Sequence, residues 1–358
     1  MKRKKIAIVT WYHSKNFGSQ LQAYALYNVI EDFGFDMYMI YFHNHPILRT
    51  LYYYILNSLP LGLARLINKN INSPRYQFIK TYLKEKFVNP KKFLSGFDAV
   101  VCGSDQIWAP NVFDSKYMLD FVPDGMNKFS YAASIGLNAI PNELKEKYTH
   151  LLNRLSNVSV REEKGKELLN VCCHINASVV LDPTLLLSAK EWKKIEIPPM
   201  TKDSYIFCYF LNSSHNYKDI VLDYQNRKGC MIIGLSENSE DKQWMKLLDY
   251  KDVGPREFIG LIHNADSVIT DSYHCTIFSL HFNKPFITFE RFKVTDVICQ
   301  NSRIEQLNTY FNIKNNIVNP NINARLDVIA NDYQEFEEKR QKLKDCSLLY
   351  LKNALSLC

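Results

Sequence analysis

Short, continuously apolar runs alternate with helix-length amphipathic stretches along most of this 358-residue chain. Such runs are typical of parallel strands, because helices cover both faces of a parallel sheet and neither face needs to be polar. One series occupies residues 5–11, 37–42, 98–103, 129–134, 158–161 and 178–182. A second series occupies residues 205–210, 230–235, 267–271 and 285–289. The repeated alternation predicts two doubly wound α/β domains.

The stretch 183–204 separates the two series and contains two adjacent prolines in the polar sequence IEIPPMTKDS, which is typical of a linker. We therefore predict one Rossmann-like domain over residues 1–190 and a second over 191–324. A long amphipathic helix over 325–358 would return to pack on the first domain. Its apolar stripe would comprise Ile329, Tyr333, Phe336, Leu343, Cys346 and Tyr350.

Composition excludes several classes of protein. No apolar run reaches the roughly 18 residues of a membrane span, and the basic MKRKK opens directly into a strand instead of a signal peptide. The nine cysteines show neither CxxC nor a ligand-like Cys/His spacing, which disfavours a disulfide scaffold or a zinc site and favours the reducing cytoplasm. Only 12 residues are glycine and no GxGxxG occurs, so a dehydrogenase is disfavoured.

Positive charge is concentrated in one segment, residues 46–93. It holds nine Lys or Arg and one acidic residue, a local net of +8 against +7 for the whole chain, which disfavours a general nucleic-acid binder. We predict a basic helical insertion here. Because it contains LYYYILNSLPLGLARLI, we hypothesise that it contacts the anionic inner face of the membrane. Helices that cover the first sheet with a solvated basic face are the alternative.

The turn after the first strand, in WYHSKNFGSQLQAYAL, holds Asn16, Gly18 and Ser19 before a helical pattern. A helix N-terminus favours an anion or a hydroxyl, so these three residues are predicted to bind substrate. The alternative is structural: Gly18 permits a tight turn and Ser19 caps the helix.

The predicted third strand ends in GSDQIW, which places Ser104, Asp105, Gln106 and Trp108 at its carboxyl end. Ligands of open α/β sheets bind outside the carboxyl ends of the strands. Polar side chains beside an indole suit a sugar, which needs hydrogen bonds to its hydroxyls and an apolar plane for its ring. A turn with a structural tryptophan is the alternative.

Arg161 ends a predicted strand immediately before a helix. Its guanidinium could bind a carboxylate or a phosphate through two hydrogen bonds. The alternative is an ion pair with Glu162, Glu163 or Glu167 on a surface helix.

The sequence ITDSYHCTIF in the second half of the chain runs from an apolar strand directly into a helix. Asp271, Ser272, Tyr273 and His274 would therefore lie at the carboxyl edge of the second sheet, and His274 is a candidate general acid or base. The alternative is a structural histidine. His13, directly after the first strand, is a further candidate.

Taken together, NFGSQLQAYAL, GSDQIW, SVRE, LDPTLLL and ITDSYHCTIFSLHFNKP resemble the polysaccharide pyruvyl transferase family, in family order over roughly residues 5–290. The resemblance implies two Rossmann-like domains facing a cleft, as in GT-B glycosyltransferases. It implies transfer of the enolpyruvyl group of phosphoenolpyruvate onto two hydroxyls of a sugar, giving a cyclic ketal and phosphate. Phosphoenolpyruvate is then the donor substrate, with no cofactor or metal. The acceptor would be a lipid-linked precursor of an exopolysaccharide or capsule.

By motif, the resemblance makes Arg161 an anion clamp and His274 the acid or base, while the GSDQIW residues would hold the acceptor. Some family members carry an arginine two residues before the histidine, where this chain has Ser272. A second anion clamp must then come from elsewhere. The candidates are Lys284, Arg256 and Arg291.

Two other functions remain open on the sequence. A nucleotide-sugar-dependent glycosyltransferase is the first, because residues 254–271 also resemble the donor-side helix and strand of such enzymes, although no ribose or diphosphate clamp is evident. An inactive saccharide-binding protein is the second.

Overall fold

A computed structural model describes residues 3–42, 72–88, 96–211, 217–292, 296, 299–320 and 328–357. The chain forms two compact units, which we call the first and the second domain. The first domain comprises Met1–Leu186 and Lys344–Cys358, and the second comprises Leu187–Leu343. Each domain is built on its own parallel sheet.

The sheet of the first domain has the strand order β3-β2-β1-β4-β5, with all neighbours parallel. These strands are β1 (Lys5–Val9), β2 (Asp36–Phe42), β3 (Glu85–Val88), β4 (Ala99–Cys102) and β5 (Asn127–Ser130). Two short strands, β6 (Ser159–Val160) and β7 (Ser178–Val179), continue beyond β5 through isolated bridges. The central strand β4 is buried throughout, which explains its continuous apolar run. The strand order reverses between β1 and β4, and this reversal is where ligands bind in such sheets.

The sheet of the second domain repeats this topology in the order β10-β9-β8-β11-β12-β13, again entirely parallel. Its strands are β8 (Tyr205–Phe210), β9 (Met231–Ser236), β10 (Lys246–Leu247), β11 (Ser267–Thr270), β12 (Phe286–Phe289) and β13 (Ile317–Val318). The order reverses between β8 and β11. Both domains are therefore Rossmann-like.

Helices connect these strands, as parallel neighbours require. They are α1 (Phe17–Asp32), α2 (Pro74–Tyr82), α3 (Asn142–Leu152), α4 (Glu163–Cys173), α5 (Ala189–Lys193), α6 (Lys218–Lys228), α7 (Pro255–Asn264), α8 (Tyr273–His281), α9 (Ser302–Phe311) and α10 (Tyr333–Ser356). Two of them, α1 and α8, are buried along most or all of their length. Each follows the strand at its domain's reversal point, so its N-terminus lies at the ligand-binding edge.

The long helix α10 packs its last part on the first domain, as the sequence predicts. The Ser347 hydroxyl accepts the Leu181 N–H at 2.9 Å, and the Tyr350 hydroxyl donates to the Ser130 carbonyl at 2.9 Å. The helix begins at Tyr333, however, and the prediction that Ile329 lies on its stripe is wrong. Ile329 instead forms an antiparallel bridge with Phe286, the first residue of β12, before the chain turns into α10.

The basic segment 46–93 is not wholly helical, and that prediction is corrected. Within it the structure describes α2 and the edge strand β3, whose sequence EKFV pairs with β2. Edge strands tolerate charged residues, and for this reason the polar sequence of β3 did not indicate a strand. The membrane hypothesis rests on the sequence LYYYILNSLPLGLARLI, which lies within residues 43–71. These residues, and residues 89–95, lie outside the described part of the chain. None of the helices described is both long and apolar enough to cross a bilayer.

Candidate functional site

The N-terminus of α8 in the second domain carries the predicted acid or base, His274. The Thr270 hydroxyl donates to the Tyr209 carbonyl at 2.6 Å and ties the ends of β11 and β8 together. Ser272 then caps α8, because its hydroxyl accepts the Cys275 N–H at 3.4 Å. His274 lies in the first helical turn, where the helix dipole is positive, and it is only 3% exposed. Its ring contacts that of Tyr273 edge-on, with centroids 5.1 Å apart.

Asp271 joins the loop after β8 to the start of α8. One carboxylate oxygen accepts the Leu211 N–H at 2.8 Å, and the other accepts the Tyr217 hydroxyl at 3.3 Å. Burial and the charge of Asp271 raise the pKa of Tyr217, so this hydroxyl stays protonated and remains a donor. Asp271 therefore positions the backbone beside His274. Direct contact of Asp271 with substrate stays a prediction, as it does for Ser272 and Tyr273.

Two arginines lie at the same edge of the second sheet. Arg291 lies two residues after the end of β12, and the guanidinium of Arg303, on α9, lies 5.7 Å from the centre of the Tyr273 ring. Both donate to the Gln300 side-chain oxygen, at 3.3 Å and 2.9 Å. Asn301 reinforces this loop by donating to the Phe292 carbonyl at 2.8 Å. Arg303 thus lies against the first residue of α8, and Arg291 is linked to it through Gln300.

Arg291 was among the anion clamps predicted from the sequence, whereas Arg303 was not. Arg303 lies on α9, outside every motif that we recognised, so only the fold brings it to Tyr273. Its position as the second residue of α9, just after the β12 loop, is the sequence signal that could have indicated it.

Lys284 lies at the amino ends of the strands, whereas His274 lies at their carboxyl ends. The prediction that Lys284 binds the same ligand as His274 is therefore wrong. Lys284 precedes β12, whose four residues span roughly 13 Å, whereas His274 follows the carboxyl end of the neighbouring β11. Burial also lowers the pKa of Lys284. Arg256 donates to the Ile195 carbonyl at 2.7 Å, which holds its side chain against the start of the second domain.

In the first domain, the predicted substrate-binding residues of the first two motifs meet at the reversal between β1 and β4. Asn16 caps α1 by accepting the Gly18 N–H at 2.9 Å. The Ser19 hydroxyl donates to the Asp105 carboxylate, which also accepts the Gln106 N–H at 2.9 Å. Asp105 adopts a left-handed backbone with φ +81°, and it is 5% exposed.

The structural alternatives for this turn are corrected as well. Asn16 caps the helix, not Ser19, and Gly18 lies within the first turn of α1 instead of in a tight turn. The glycine that the geometry requires is Gly103. A Cβ atom there would lie 2.9 Å from the Thr10 Cβ, so glycine allows the ends of β1 and β4 to approach. The Thr10 hydroxyl donates to the Ser104 carbonyl at 2.5 Å.

Arg161 belongs to a buried ion-pair network. Its guanidinium donates to Asp182 at 2.7 Å and lies 3.7 Å from the Glu162 carboxylate, with the residue 2% exposed. The Ser104 hydroxyl also reaches Asp182, at 3.3 Å. Asp182 in addition starts a turn, by accepting both the N–H and the hydroxyl of Thr184. The role of Arg161 as an anion clamp stays a prediction.

Trp108 is a core residue, and the prediction that it offers a plane to a sugar is wrong. Its side chain is 0% exposed, and its indole N–H donates to the Tyr117 carbonyl at 2.8 Å. The apolar side chains in the core of the first domain surround the indole, so no ligand can reach the face of this ring. The Gln106 side chain lies over Gly136, which has φ +65° and leaves room for the amide.

Exposed aromatic faces occur instead in a cavity of about 390 Å³ at the carboxyl ends of β1 and β2. Its walls come from three separate stretches of the first domain. Of the residues in these walls, His13 alone was a candidate site residue on the sequence. The lining residues are Thr10, Trp11, Tyr12, His13, Ser14, Ile40, Tyr41, Phe42, Lys116 and Tyr117.

Cys275 follows His274 on α8, but burial raises the pKa of its thiol, so it is not a thiolate nucleophile. Within the described ranges, no three His, Cys, Asp or Glu side chains converge as a metal site.

Comparison with known proteins agrees with this architecture. The chain is similar to the UDP-GlcNAc 2-epimerase of Methanocaldococcus jannaschii, with a TM-score of 0.50 and 13% identity over 95% of this chain and 92% of the epimerase. It is also similar to the trehalose-6-phosphate phosphatase N-terminal domain of Candida albicans, with a TM-score of 0.54 and 9% identity over 100% and 97% of the two chains. These similarities concern the fold, two Rossmann-like domains of the GT-B type. No curated protein sequence matches the chain.

The family model described as polysaccharide pyruvyl transferase matches residues 16–291, well over half of the chain. The matched range includes Asn16, the GSDQIW motif, Arg161 and the α8 N-terminus with His274. Within it also lies Arg291, at its last position. The chain therefore belongs to the polysaccharide pyruvyl transferase family and is a transferase enzyme.

Proposed function

We propose that this protein transfers the enolpyruvyl group of phosphoenolpyruvate onto two hydroxyls of a sugar in a polysaccharide precursor. The observation that carries the proposal is that His274 lies at the N-terminus of α8, where Arg303 contacts the neighbouring Tyr273 and Arg291 shares Gln300 with Arg303. Phosphoenolpyruvate carries a carboxylate and a phosphate, and guanidinium groups hold such anions through charge-assisted, bidentate hydrogen bonds. The end of a buried helix adds a further positive potential.

In the proposed reaction, a single side chain donates the proton that a carbon atom of the donor substrate receives. His274 protonates the methylene C3 of phosphoenolpyruvate, which makes C2 electrophilic, and the first sugar hydroxyl forms a bond to C2 and returns its proton to the imidazole. The C2–O bond to phosphate then breaks while the second hydroxyl closes the ring, and its proton leaves with the phosphate. The products are the cyclic ketal and inorganic phosphate. General acid–base catalysis of this kind contributes about 10²–10⁴-fold to a rate.

Binding of the donor is the direct test. We expect phosphoenolpyruvate to raise the thermal midpoint of the full-length protein, because a ligand at about 100 times its Kd stabilises the native state by about 2.7 kcal/mol. UDP-glucose and UDP-N-acetylglucosamine serve as comparison ligands. Stabilisation by a nucleotide sugar and none by phosphoenolpyruvate would overturn the proposal in favour of glycosyl transfer.

The arginine pair gives a second prediction. Replacing Arg303 or Arg291 with methionine removes one charged hydrogen-bonding group, worth about 1.5–3 kcal/mol. We therefore expect KM for phosphoenolpyruvate to rise roughly 10- to 100-fold in either variant, measured as phosphate release.

Arg227→Met is the matched control, because Arg227 lies on α6 and pairs with Asp223 at the surface. Its KM should equal that of the wild type. A folded Arg303→Met variant with an unchanged KM would show that Arg303 is not part of the clamp.

A further inference from the structure

The cavity at the carboxyl ends of β1 and β2 has walls fixed by ring contacts. The Trp11 ring meets Tyr117 edge-on with centroids 6.1 Å apart, and the His13 ring lies 4.1 Å from that of Tyr41. Tyr12 also contacts His13, with centroids 4.3 Å apart. Such mutual support holds the aromatic faces in place before a ligand arrives. Its volume of about 390 Å³ falls in the range of small-molecule sites, about 300–1,000 Å³.

The polar groups of the cavity already have partners. The Lys116 ammonium pairs with Asp114, and the His13 imidazole lies 2.7 Å from the Glu85 carboxylate. Burial, with the charge of Asp114, raises the pKa of Tyr117 to about 12, so its hydroxyl is neutral near pH 7. An anion such as phosphoenolpyruvate would have to compete with these carboxylates. A neutral ligand with hydroxyls can instead bond to the same groups without disturbing the pairs.

We propose that this cavity binds a neutral pyranose of the acceptor saccharide, an inference that rests on the proposed function. The C–H face of the ring packs on the aromatic wall, and its hydroxyls point to Lys116, His13 and Tyr117. Pockets that combine aromatic walls with a few polar groups bind small molecules in this way. The cavity thus supplies the sugar plane that Trp108 cannot offer. It adjoins the ligand-binding edge of the first domain, because Thr10, which bonds to Ser104, forms part of its wall.

Direct binding of sugars to the full-length protein tests this assignment. The probes are the methyl β-glycosides of glucose, galactose, mannose and N-acetylglucosamine at up to roughly 10 mM, since a Kd of 1 mM corresponds to about 4 kcal/mol of binding free energy. Saturation-transfer NMR and tryptophan fluorescence report binding. We expect at least one glycoside to bind, and Trp11→Ala or Tyr41→Ala to weaken its binding at least roughly tenfold, about 1.4 kcal/mol.

Two further variants sharpen the test. Trp11→Phe keeps an aromatic ring and the packing on Tyr117, so it should fold and bind more weakly than wild type while losing the fluorescence signal. Trp244→Phe is the matched control, because Trp244 lies in the second domain beside Asp241, and its fluorescence response and binding should stay unchanged.

The midpoint shift with phosphoenolpyruvate separates the two proposals. Trp11→Ala should retain this shift, so loss of glycoside binding alone supports the cavity as the acceptor site. Glycoside binding without any shift in wild type would refute the donor and leave the cavity assignment standing. Equal binding to wild type and to folded Trp11→Phe and Tyr41→Ala, or no binding of any probe, would overturn the assignment.

Discussion

Replacing His274 with asparagine is expected to lower turnover by about 10²–10⁴-fold, the contribution of a positioned acid or base. Asparagine keeps a polar side chain in the first turn of α8, so the buried position is filled and the domain should fold. Binding of phosphoenolpyruvate should persist, because the arginine pair and the helix end remain. The measurement is the rate of phosphate release, with the midpoint shift by phosphoenolpyruvate as the binding readout.

His281→Asn is the matched control for this experiment. His281 is equally buried on the same helix, but at its last turn, where its ring contacts Phe336 at 5.7 Å. Any loss of packing is shared by the two variants, whereas only His274→Asn should lose turnover per folded molecule. The proton step has its own readout, since in D2O the methyl group of the ketal should carry one deuterium. A wild-type rate in His274→Asn would remove the histidine from the mechanism.

Removing Asp182 is expected to destabilise the first domain by about 3–5 kcal/mol, the cost of breaking a buried ion pair from one side. Asp182→Ala leaves the buried Arg161 charge without the partner that it contacts at 2.7 Å. The same change deletes the acceptor for Ser104 and Thr184. Urea unfolding at constant pH measures the difference in free energy.

Two variants calibrate this prediction. Glu167→Gln breaks the exposed pair with Lys164 and should cost only about 0–1 kcal/mol. The double replacement Arg161→Met with Asp182→Leu removes the 2.7 Å pair and should recover part of the lost stability, because apolar residues of similar volume often replace buried pairs without loss. Glu162 stays buried in this variant and keeps its hydrogen bonds from the Ser134 hydroxyl and the backbone N–H groups of Ile135 and Gly136. A cost for Asp182→Ala no larger than that for Glu167→Gln would contradict the network.

The double variant also tests the predicted role of Arg161. If the folded double variant still shows the midpoint shift with phosphoenolpyruvate, Arg161 is structural and the anion is held by the second domain. Loss of the shift in a variant of near-normal stability would support Arg161 as a clamp. Arg161→Ala alone could not separate these outcomes, since it would leave Asp182 and Glu162 as buried charges.

Strands that are buried on both faces could be predicted from the sequence, because a short, continuously apolar run is typical of a strand in a covered parallel sheet. The strand Tyr205–Phe210 was placed at its observed bounds, and the central strands of both sheets were found within a few residues. Edge strands were missed, as in EKFV of β3 and the two-residue β10 and β13, because charged residues or very short pairing leave no pattern.

Side-chain direction limited the prediction of the site. The motif GSDQIW was placed correctly at a strand end, yet the motif cannot indicate whether Trp108 points into the core or into a cavity. Trp11 is the last residue of the first predicted strand, and only the fold brings it together with Tyr41 and Tyr117. Arg303 was likewise brought to α8 by tertiary structure, through a helix without a motif.

Because α10 is divided between the two domains, the first domain cannot be completed until nearly the whole chain has been synthesised. The first domain contains residues up to Leu186, but its Leu181 N–H and Ser130 carbonyl bond to the side chains of Ser347 and Tyr350, respectively. The ribosome must add the whole second domain before those residues exist, which takes roughly 8–30 s at about 5–20 residues per second. During that interval the nascent first domain lacks its final helix, and the apolar surface that the buried Leu351 and Leu355 later cover stays exposed to solvent.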